Sequence, residues 1–184
     1  MDKNLLASAL AKVAGGVAVV AALLFVPAGT LGWWQGMLLA GILFVPMIAA
    51  FIMAGLGVRF GWPQLPAWAS WAGAAAFLAA YALYAEVLRE NEWLSRTVEV
   101  QEGQRVVDSG LYGIVRHPMY AATLVLFLAM PVVLGSPFSC AIMLAYLPII
   151  AKCIENEEKV LAEGLEGYRD YMERVRWGLI PHIW

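Results

Sequence analysis

The chain has 184 residues, of which 62% are hydrophobic and 14% are charged, and its formal net charge is −2 at pH 7. Its mean hydropathy of +0.72 lies far above that of a soluble domain. These values predict an integral membrane protein surrounded by membrane lipids, too short to carry a separate soluble domain, and they give no reason to expect a nucleic-acid partner.

Apolar runs predict an all-α, multi-pass transmembrane helical bundle of about five spans, because roughly 20 apolar residues cross a bilayer. The predicted spans are 5–26, 31–54, 68–88, 119–134 and 138–152. The first is expected to be a retained span, since it is long and lacks a clear cleavage pattern. The last two are separated only by "GSP" and predict a tight helical hairpin, and "GLGVRFGWPQLP" at 55–66 predicts a turn. Residues 1–184 are expected to form a single membrane domain.

Charged residues concentrate in two segments, 86–118 and 152–184. Together they hold nine of the twelve basic residues and thirteen of the fourteen acidic ones. Because one hairpin separates the two segments, both are expected at the same membrane face, and the excess of Lys and Arg near the spans assigns that face to the cytoplasm. In a prokaryote the membrane would be the plasma or inner membrane.

The first polar segment ends in "RHPMY", directly before an apolar run. Upstream, "RTVEVQEGQRVV" at 96–107 alternates apolar and polar residues and predicts a short extended or hairpin-like element on the membrane surface. Pro118 suits the first turn of a helix, so His117 is expected just before a helix start. Arg116 and His117 would then lie at a helix N-terminus, which attracts anions.

The second polar segment carries Glu157 and Glu158 close to the last span, followed by Tyr168 and Tyr171 at i, i+3 on one helical face. Each feature has a simpler explanation: Arg116 could reach to the headgroups, the acids could be solvated, and the tyrosines could be interfacial. Their convergence on one side of a protein with little other polar surface favours a site for a polar ligand beside lipid. The two cysteines support neither a disulfide framework nor a metal site.

These residues carry a family resemblance over residues 90–181. The pattern resembles the isoprenylcysteine carboxyl methyltransferase family and the related phospholipid methyltransferases through Gly110, Tyr112, Arg116, His117, Pro118, Met119, Tyr120, Glu157, Glu158, Leu161, Tyr168, Tyr171 and the closing "LIP" at 179–181. The resemblance implies S-adenosylmethionine as methyl donor and a lipophilic small-molecule or lipid acceptor. It also implies that residues 90–184 bind the cofactor at the cytoplasmic interface, without a metal.

The resemblance also assigns residues to the cofactor. Carried over one by one, the cofactor-binding positions are Gln104, Arg105, Val106, Val107, Tyr112, His117, Pro118, Met119, Tyr120 and Glu157. His117 would face the carboxylate of the cofactor, and Glu157 would face its ammonium or ribose hydroxyls. Tyr112 and Tyr120 would offer aromatic faces to its adenine or sulfonium. Arg116 and Glu158 are the candidate catalytic residues, Arg116 as a charged donor and Glu158 as the proton acceptor for an amine nucleophile.

One departure concerns the acceptor. Family members that methylate a prenylcysteine carboxylate carry an arginine four residues before the acid that corresponds to Glu157, and this substrate-binding position is Cys153 here. Lys152 next to it is a point charge in a different helical direction. Methyl transfer is unaffected, but the acceptor stays open between a prenylcysteine-like carboxylate and a lipid amine headgroup.

Two other functions remain open. A membrane reductase of the sterol or steroid type has similar C-terminal helices but uses NADPH, and a non-enzymatic membrane scaffold would bind neither cofactor. Stabilisation of the purified protein by one cofactor or the other distinguishes the three, because only a true ligand shifts the folding equilibrium by mass action.

Overall fold

The computed structural model describes residues 32–93 and 100–184, with residues 15, 22, 26, 29 and 30; at 34–36, 38–40 and 42–43 it describes the backbone alone. Every regular element in this part of the chain is helical, which confirms the all-helical prediction. Apart from isolated positions, the predicted span 5–26 lies outside the described residues. Of the two compact units of the chain, the second, Ile48–Trp184, contains the site described below.

Helix α1 spans Trp34–Phe60 and corresponds to the predicted span 31–54. It continues through Gly55 and Gly57, where the sequence predicted a turn. The chain folds back after the helix so closely that a Cβ at Gly57 would lie 3.0 Å from Nε2 of Gln64, and glycine leaves room for this approach. The helix ends at Phe60, and Gly61 after it has a φ of 64°, in the left-handed region that glycine adopts without strain.

Helix α2 spans Ala67–Glu90 and packs along α3, which spans Pro118–Val133. Small buried residues make the close approach possible. At Gly73, a Cβ would lie only 3.0 Å from both Cγ1 of Val132 and the backbone nitrogen of Val133. Close packing of small residues is the usual way for apolar helices to associate in lipid.

The predicted hairpin differs from expectation in its second arm. After α3, helix α4 spans Pro137–Met143 and helix α5 spans Tyr146–Gly164, so the run 138–152 is interrupted at Leu144. Pro148 explains the interruption, because its ring removes the N–H that would pair with the Leu144 carbonyl and clashes with that carbonyl. The backbone N–H of Ala145 instead donates to the carbonyl of Ile142, a tightened turn.

Two helical stretches among the described residues are long and apolar enough to cross a membrane, by length and composition: Ala67–Glu90 and the interrupted Pro137–Gly164. Phe44–Phe60 and Pro118–Val133 are apolar but shorter. The count of five spans therefore stays a prediction.

The two polar segments, which the sequence predicted to share one face because a single hairpin separates them, contact each other through Arg116 and Glu158. From residue 100 the first forms a turn at Gln101–Gln104, where Gly103 has a φ of 77°, and then a 3₁₀ helix, Gly110–Gly113. The predicted extended or hairpin-like element at 96–107 shows no strand over 100–107, and the rest of it lies outside the described residues. The second polar segment adds the short helix α6, Tyr168–Arg174.

Candidate functional site

Arg116 and His117 are held between α3 and residues 175–178, here called the C-terminal strap. The backbone N–H of Arg116 donates to the carbonyl of Trp177 at 2.8 Å, and that of His117 donates to the carbonyl of Gly178 at 2.9 Å. His117 directly precedes Pro118, the first residue of α3, which confirms the predicted helix start. The motif is therefore fixed from two directions, by the helix it begins and by the strap.

One carboxylate oxygen joins this motif to α5. Oε1 of Glu158 lies 2.7 Å from Nε of Arg116 and 3.0 Å from Nε2 of His117. Because a carboxylate only accepts, Nε2 of His117 carries the hydrogen. The exposed fractions of the side chains are only 13% for Arg116, 4% for His117 and 18% for Glu158. The two predicted catalytic residues thus contact each other.

Arg116 also holds the strap directly. Its Nη1 donates to the carbonyls of Val175 at 2.9 Å and Arg176 at 2.8 Å. The planar guanidinium therefore serves a carboxylate and two carbonyls at once, which the ammonium of a lysine could not do in the same geometry.

Glu158 lies beyond the apolar part of α5, on its charged end. Burial raises the pKa of its carboxyl group, but the hydrogen bonds from His117 and Arg116 and their charges together outweigh burial, so the pKa lies below its ordinary value. Glu158 is therefore ionised at neutral pH, and its lowered pKa makes it a weak proton acceptor.

Glu157 serves a different group of side chains. Its half-buried carboxylate interacts with the hydroxyl of Tyr120, and its negative charge acts on Cys153, Tyr112 and Tyr168. The two neighbouring acids thus have different main partners: Glu158 pairs with Arg116 and His117, although its charge also acts on Tyr168, whereas Glu157 interacts with the hydroxyl of Tyr120. Glu157 is the negative charge that a cationic ligand would meet at this site.

Tyr168 and Tyr171, in α6, form a buried cluster with Val175. Their exposed fractions are 4% and 1%, and their ring centroids lie 5.6 Å apart. The hydroxyl of Tyr171 donates to the carbonyl of Tyr112 at 2.7 Å. Burial raises the pKa of both Tyr168 and Tyr171. The two residues are therefore buried and structural, rather than interfacial aromatics exposed to headgroups.

Tyr112 lies in the 3₁₀ helix Gly110–Gly113 with 8% of its surface exposed. Its hydroxyl accepts a hydrogen bond from Nδ2 of Asn91 at 2.9 Å. Burial raises the pKa of Tyr112, and the hydrogen bond from Asn91 offsets this only in part. Tyr112 thereby joins the end of α2 to the polar segments.

The run Gln104 to Val107 is only partly drawn into the site. Oε1 of Gln104 accepts from the backbone N–H of Gln101 at 2.8 Å, which closes the turn before it. Val106 packs against the cluster of Tyr168, Tyr171 and Val175. Val107 is half-buried, whereas Arg105 is exposed.

The first turn of α3 contributes Pro118, which is fully buried, together with Met119 and Tyr120, which are half-buried. Tyr120 packs against a core cluster that includes Ile154 and Leu179, and its ring centroid lies 5.7 Å from that of His117. Aromatic, carboxylate and imidazole groups therefore gather where α3 begins.

Cys153 is exposed on α5, within the reach of the Glu157 charge. Its neighbour Lys152 pairs with Glu155 at 2.9 Å. Among residues 32–93 and 100–184, no cluster of three or more His, Cys, Asp or Glu side chains could hold a metal ion.

Sequence reasoning missed the end of α2 and the strap. Glu90 and Asn91 contact the 3₁₀ helix, and residues 175–178 contact Arg116 and His117. No motif marks these residues, because a capping asparagine and backbone carbonyls have no spacing signature. The position of Glu90 and Asn91 at the end of a span, next to the polar segment, was the one available signal.

Comparison with known proteins identifies the family. The sequence profile of the isoprenylcysteine carboxyl methyltransferase family matches residues 71–163, half of the 184-residue chain. No curated protein matches the chain by sequence. The fold is similar to the solved structure of a eukaryotic intramembrane Ras methyltransferase, isoprenylcysteine carboxyl methyltransferase, with a TM-score of 0.65 and 23% identity over 76% of this chain. This chain spans about half of that protein, 52% of its length. By its profile match, the chain belongs to the isoprenylcysteine carboxyl methyltransferase family, whose members are integral membrane proteins.

Proposed function

We propose that this protein transfers a methyl group from S-adenosylmethionine to a lipophilic acceptor at the membrane interface. The observation that carries the proposal is the division of the two acids. Glu158 is paired with Arg116 and His117, whereas the carboxylate of Glu157 interacts with the hydroxyl of Tyr120 and its charge acts on Tyr112. A negative charge among aromatic rings suits a ligand that carries an ammonium and a sulfonium. Membership of a methyltransferase family supports the same conclusion.

The residue types at the site fit this cofactor. Glu157 would bind its ammonium or ribose hydroxyls, and Tyr112 and Tyr120 would offer aromatic faces and hydroxyls. The free N–H groups at the start of α3, at Met119 and Tyr120, would receive its carboxylate. Val106, which packs against the tyrosine cluster, would complete the binding surface with Gln104 and Val107.

S-adenosylmethionine supplies an electrophilic methyl group on a sulfonium that is already a good leaving group. The work left to the chain is alignment and the exclusion of water. His117, Pro118 and Tyr171 are buried, so this part of the site is shielded from water, which suits this task.

For Arg116 and Glu158 we propose a positioning role in preference to direct proton transfer. Their mutual ion pair occupies Nε of Arg116 and Oε1 of Glu158. Glu158 has a lowered pKa and is therefore a weak base. An amine acceptor would instead have to react as its neutral form, with the proton passing to solvent.

We further propose that the protein is multi-pass and that its active site faces the cytoplasm. The support is the concentration of Lys and Arg in the two polar segments that meet at the site. The acceptor, a prenylcysteine-like carboxylate or a lipid amine headgroup, would enter from the bilayer beside α3 and α5.

Incubation of membranes that contain the protein with radiolabelled S-adenosylmethionine tests the proposal. The label should appear in a lipid-soluble product that is either a methyl ester, released by mild base, or a methylated amine, stable to it. A Glu157→Gln variant should lose most of the labelling, and Glu155→Gln, on the exposed side of α5, is the matched control. Absence of labelled product, with stabilisation by NADPH instead, would point to the reductase; binding of neither cofactor would point to the scaffold.

A further inference from the structure

The C-terminal end of α2 is hydrogen-bonded to the 3₁₀ helix that carries Tyr112. Oε2 of Glu90 accepts from the backbone N–H of Leu111 at 2.9 Å. The carboxylate of Glu90 occupies the space that a Cβ at Gly110 would need, and Gly110 has a φ of 52°. Any other residue at Gly110 would be strained and would collide with Glu90. Residues Glu90 and Gly110 therefore fit together as a specific contact.

Asn91 sets the direction of the hydrogen bond to Tyr112. Its Oδ1 accepts from the backbone N–H of Trp93 at 3.0 Å. Because a backbone N–H can only donate, the oxygen of the amide must face Trp93, and Nδ2 must face Tyr112, 2.9 Å away. The hydroxyl oxygen of Tyr112 is thus an acceptor toward Asn91, and its single proton is left for donation elsewhere.

We propose that Asn91, supported by Glu90, is a positioning residue of the cofactor site: it holds Tyr112 in place and makes its hydroxyl a hydrogen-bond donor to the cofactor. This inference rests on the proposed function. The cofactor atoms that such a donor recognises are acceptors, either a carboxylate oxygen or a ring nitrogen. Tyr171 completes the support by donating to the carbonyl of Tyr112.

The substitution Asn91→Asp isolates this role. Aspartate keeps the acceptor for Trp93 but replaces the donor toward Tyr112 with a second acceptor. The Tyr112 proton would then be drawn to residue 91 and away from the cofactor. In Asn91→Ala both contacts are lost. A purely structural role predicts that Asn91→Ala is the more harmful change, whereas the proposed role predicts that Asn91→Asp is.

Isothermal titration of the purified full chain with S-adenosylhomocysteine measures the effect. We expect Asn91→Asp to weaken binding by about 2- to 10-fold, the value of one hydrogen bond, with Asn91→Ala weakened less. The exposed neighbour Glu92→Gln should bind as the unmodified protein does.

The Tyr112→Phe background supplies the decisive comparison. If Asn91 acts through the Tyr112 hydroxyl, adding Asn91→Asp to Tyr112→Phe causes no further loss. An equal loss in both backgrounds would mean that the new charge acts on the cofactor directly, and it would overturn the proposal, as would unchanged affinity in Asn91→Asp. Lack of binding by the unmodified protein would overturn the proposed function itself, and the role of Asn91 with it.

Discussion

Arg116 and Glu158 form an ion pair with 2.7 Å between Nε and Oε1, although a helical hairpin separates them in the sequence. Each side chain is less than one-fifth exposed. The pair ties the start of α3 to the charged end of α5, and Nη1 of Arg116 donates to the strap carbonyls of Val175 and Arg176. The hydrogen bonds of Arg116 therefore connect the start of α3, α5 and the strap.

Loss of Arg116 should consequently destabilise the protein. Arg116→Ala would leave the Glu158 carboxylate with His117 alone and two strap carbonyls without their donor. We expect a loss of about 2–3 kcal/mol in the free energy of unfolding, somewhat below the cost for a fully buried pair. Thermal unfolding in detergent measures this.

The exposed pair Arg174–Asp108 is the matched control for this prediction. Its nitrogen and oxygen atoms are 2.9 Å apart, but its side chains are 63% and 43% exposed. Arg174→Ala should cost about 0–1 kcal/mol because solvent screens such pairs. Equal destabilisation by Arg116→Ala and Arg174→Ala would contradict the importance given to the buried pair.

The Arg116–Glu158 pair also predicts that the stability of the protein depends on pH. The pKa of Glu158 lies below its ordinary value of 4.5 in the folded protein. The stabilisation that follows from this shift is fully present above about pH 4.5 and is lost as the pH falls through the lower, folded-state pKa.

Melting temperatures between pH 6 and pH 3 in the unmodified protein and in Glu158→Gln test this dependence. The variant should melt lower than the unmodified protein at pH 6, and the difference should shrink toward pH 3, since glutamine has no proton to gain. A difference that stays constant over this range would show that ionisation of Glu158 does not contribute to stability. Glu166→Gln, at an exposed position outside the pair, is the control.

The sequence predicted the helix start at Pro118 because proline has a direct local signature. It predicted that the two polar segments lie at the same membrane face because a single helical hairpin separates them. It did not predict that His117 would be 4% exposed or that Arg116 would bind Glu158. Which of two adjacent acids faces an arginine depends on the rotation of α5 about its axis, and the packing of α5 on α3 determines that rotation.

The interruption of the helix at Leu144 and the hydrogen bond from Asn91 to Tyr112 show two different limits of sequence reasoning. Pro148 is a local signal for this interruption, but it lies within an apolar run that by itself predicts one continuous span. Asn91 had no motif signature, only its position at the end of a span, because its partner lies 21 residues away and the contact exists only after the chain between them has folded.

A prediction of topology follows from the contacts between the polar segments. Glu102 and Glu166 are both exposed and belong to different polar segments. With Cys140 and Cys153 replaced by serine, cysteines at these two positions should react with membrane-impermeant maleimide only after the cytoplasmic side is made accessible. Labelling of the two positions from opposite sides would exclude the site as described, and labelling of both in intact cells would place it on the outer face.

The final prediction concerns the acceptor. Cys153 is exposed one helical turn before Glu157, at the position where carboxylate-methylating relatives are expected to carry an arginine. The basic side chains nearby are already engaged: Lys152 with Glu155, and Arg116 with Glu158 and the strap. A carboxylate acceptor would therefore lack a cationic partner from these residues. We expect the unmodified protein to methylate a small prenylcysteine analogue poorly.

Cys153→Arg should improve this reaction. A planar fork of donors at this position can bind a carboxylate through charged hydrogen bonds worth about 1.5–3 kcal/mol, which corresponds to about 10- to 150-fold in binding. The gain should appear mainly as a lower KM for the analogue. Cys153→Lys places a point charge at the same position and should give a smaller gain, because it cannot bind in the bidentate geometry.

The new arginine could also pair with Glu157, so the affinity for S-adenosylhomocysteine has to be measured in the same variants. An unchanged cofactor affinity with a lower KM supports the assignment of Cys153 to the acceptor side of the site. A loss of cofactor affinity without a gain toward the analogue would place residue 153 on the cofactor side instead. Efficient esterification of the analogue by the unmodified protein would contradict the prediction outright, because it would mean that a carboxylate is accepted without an arginine at this position.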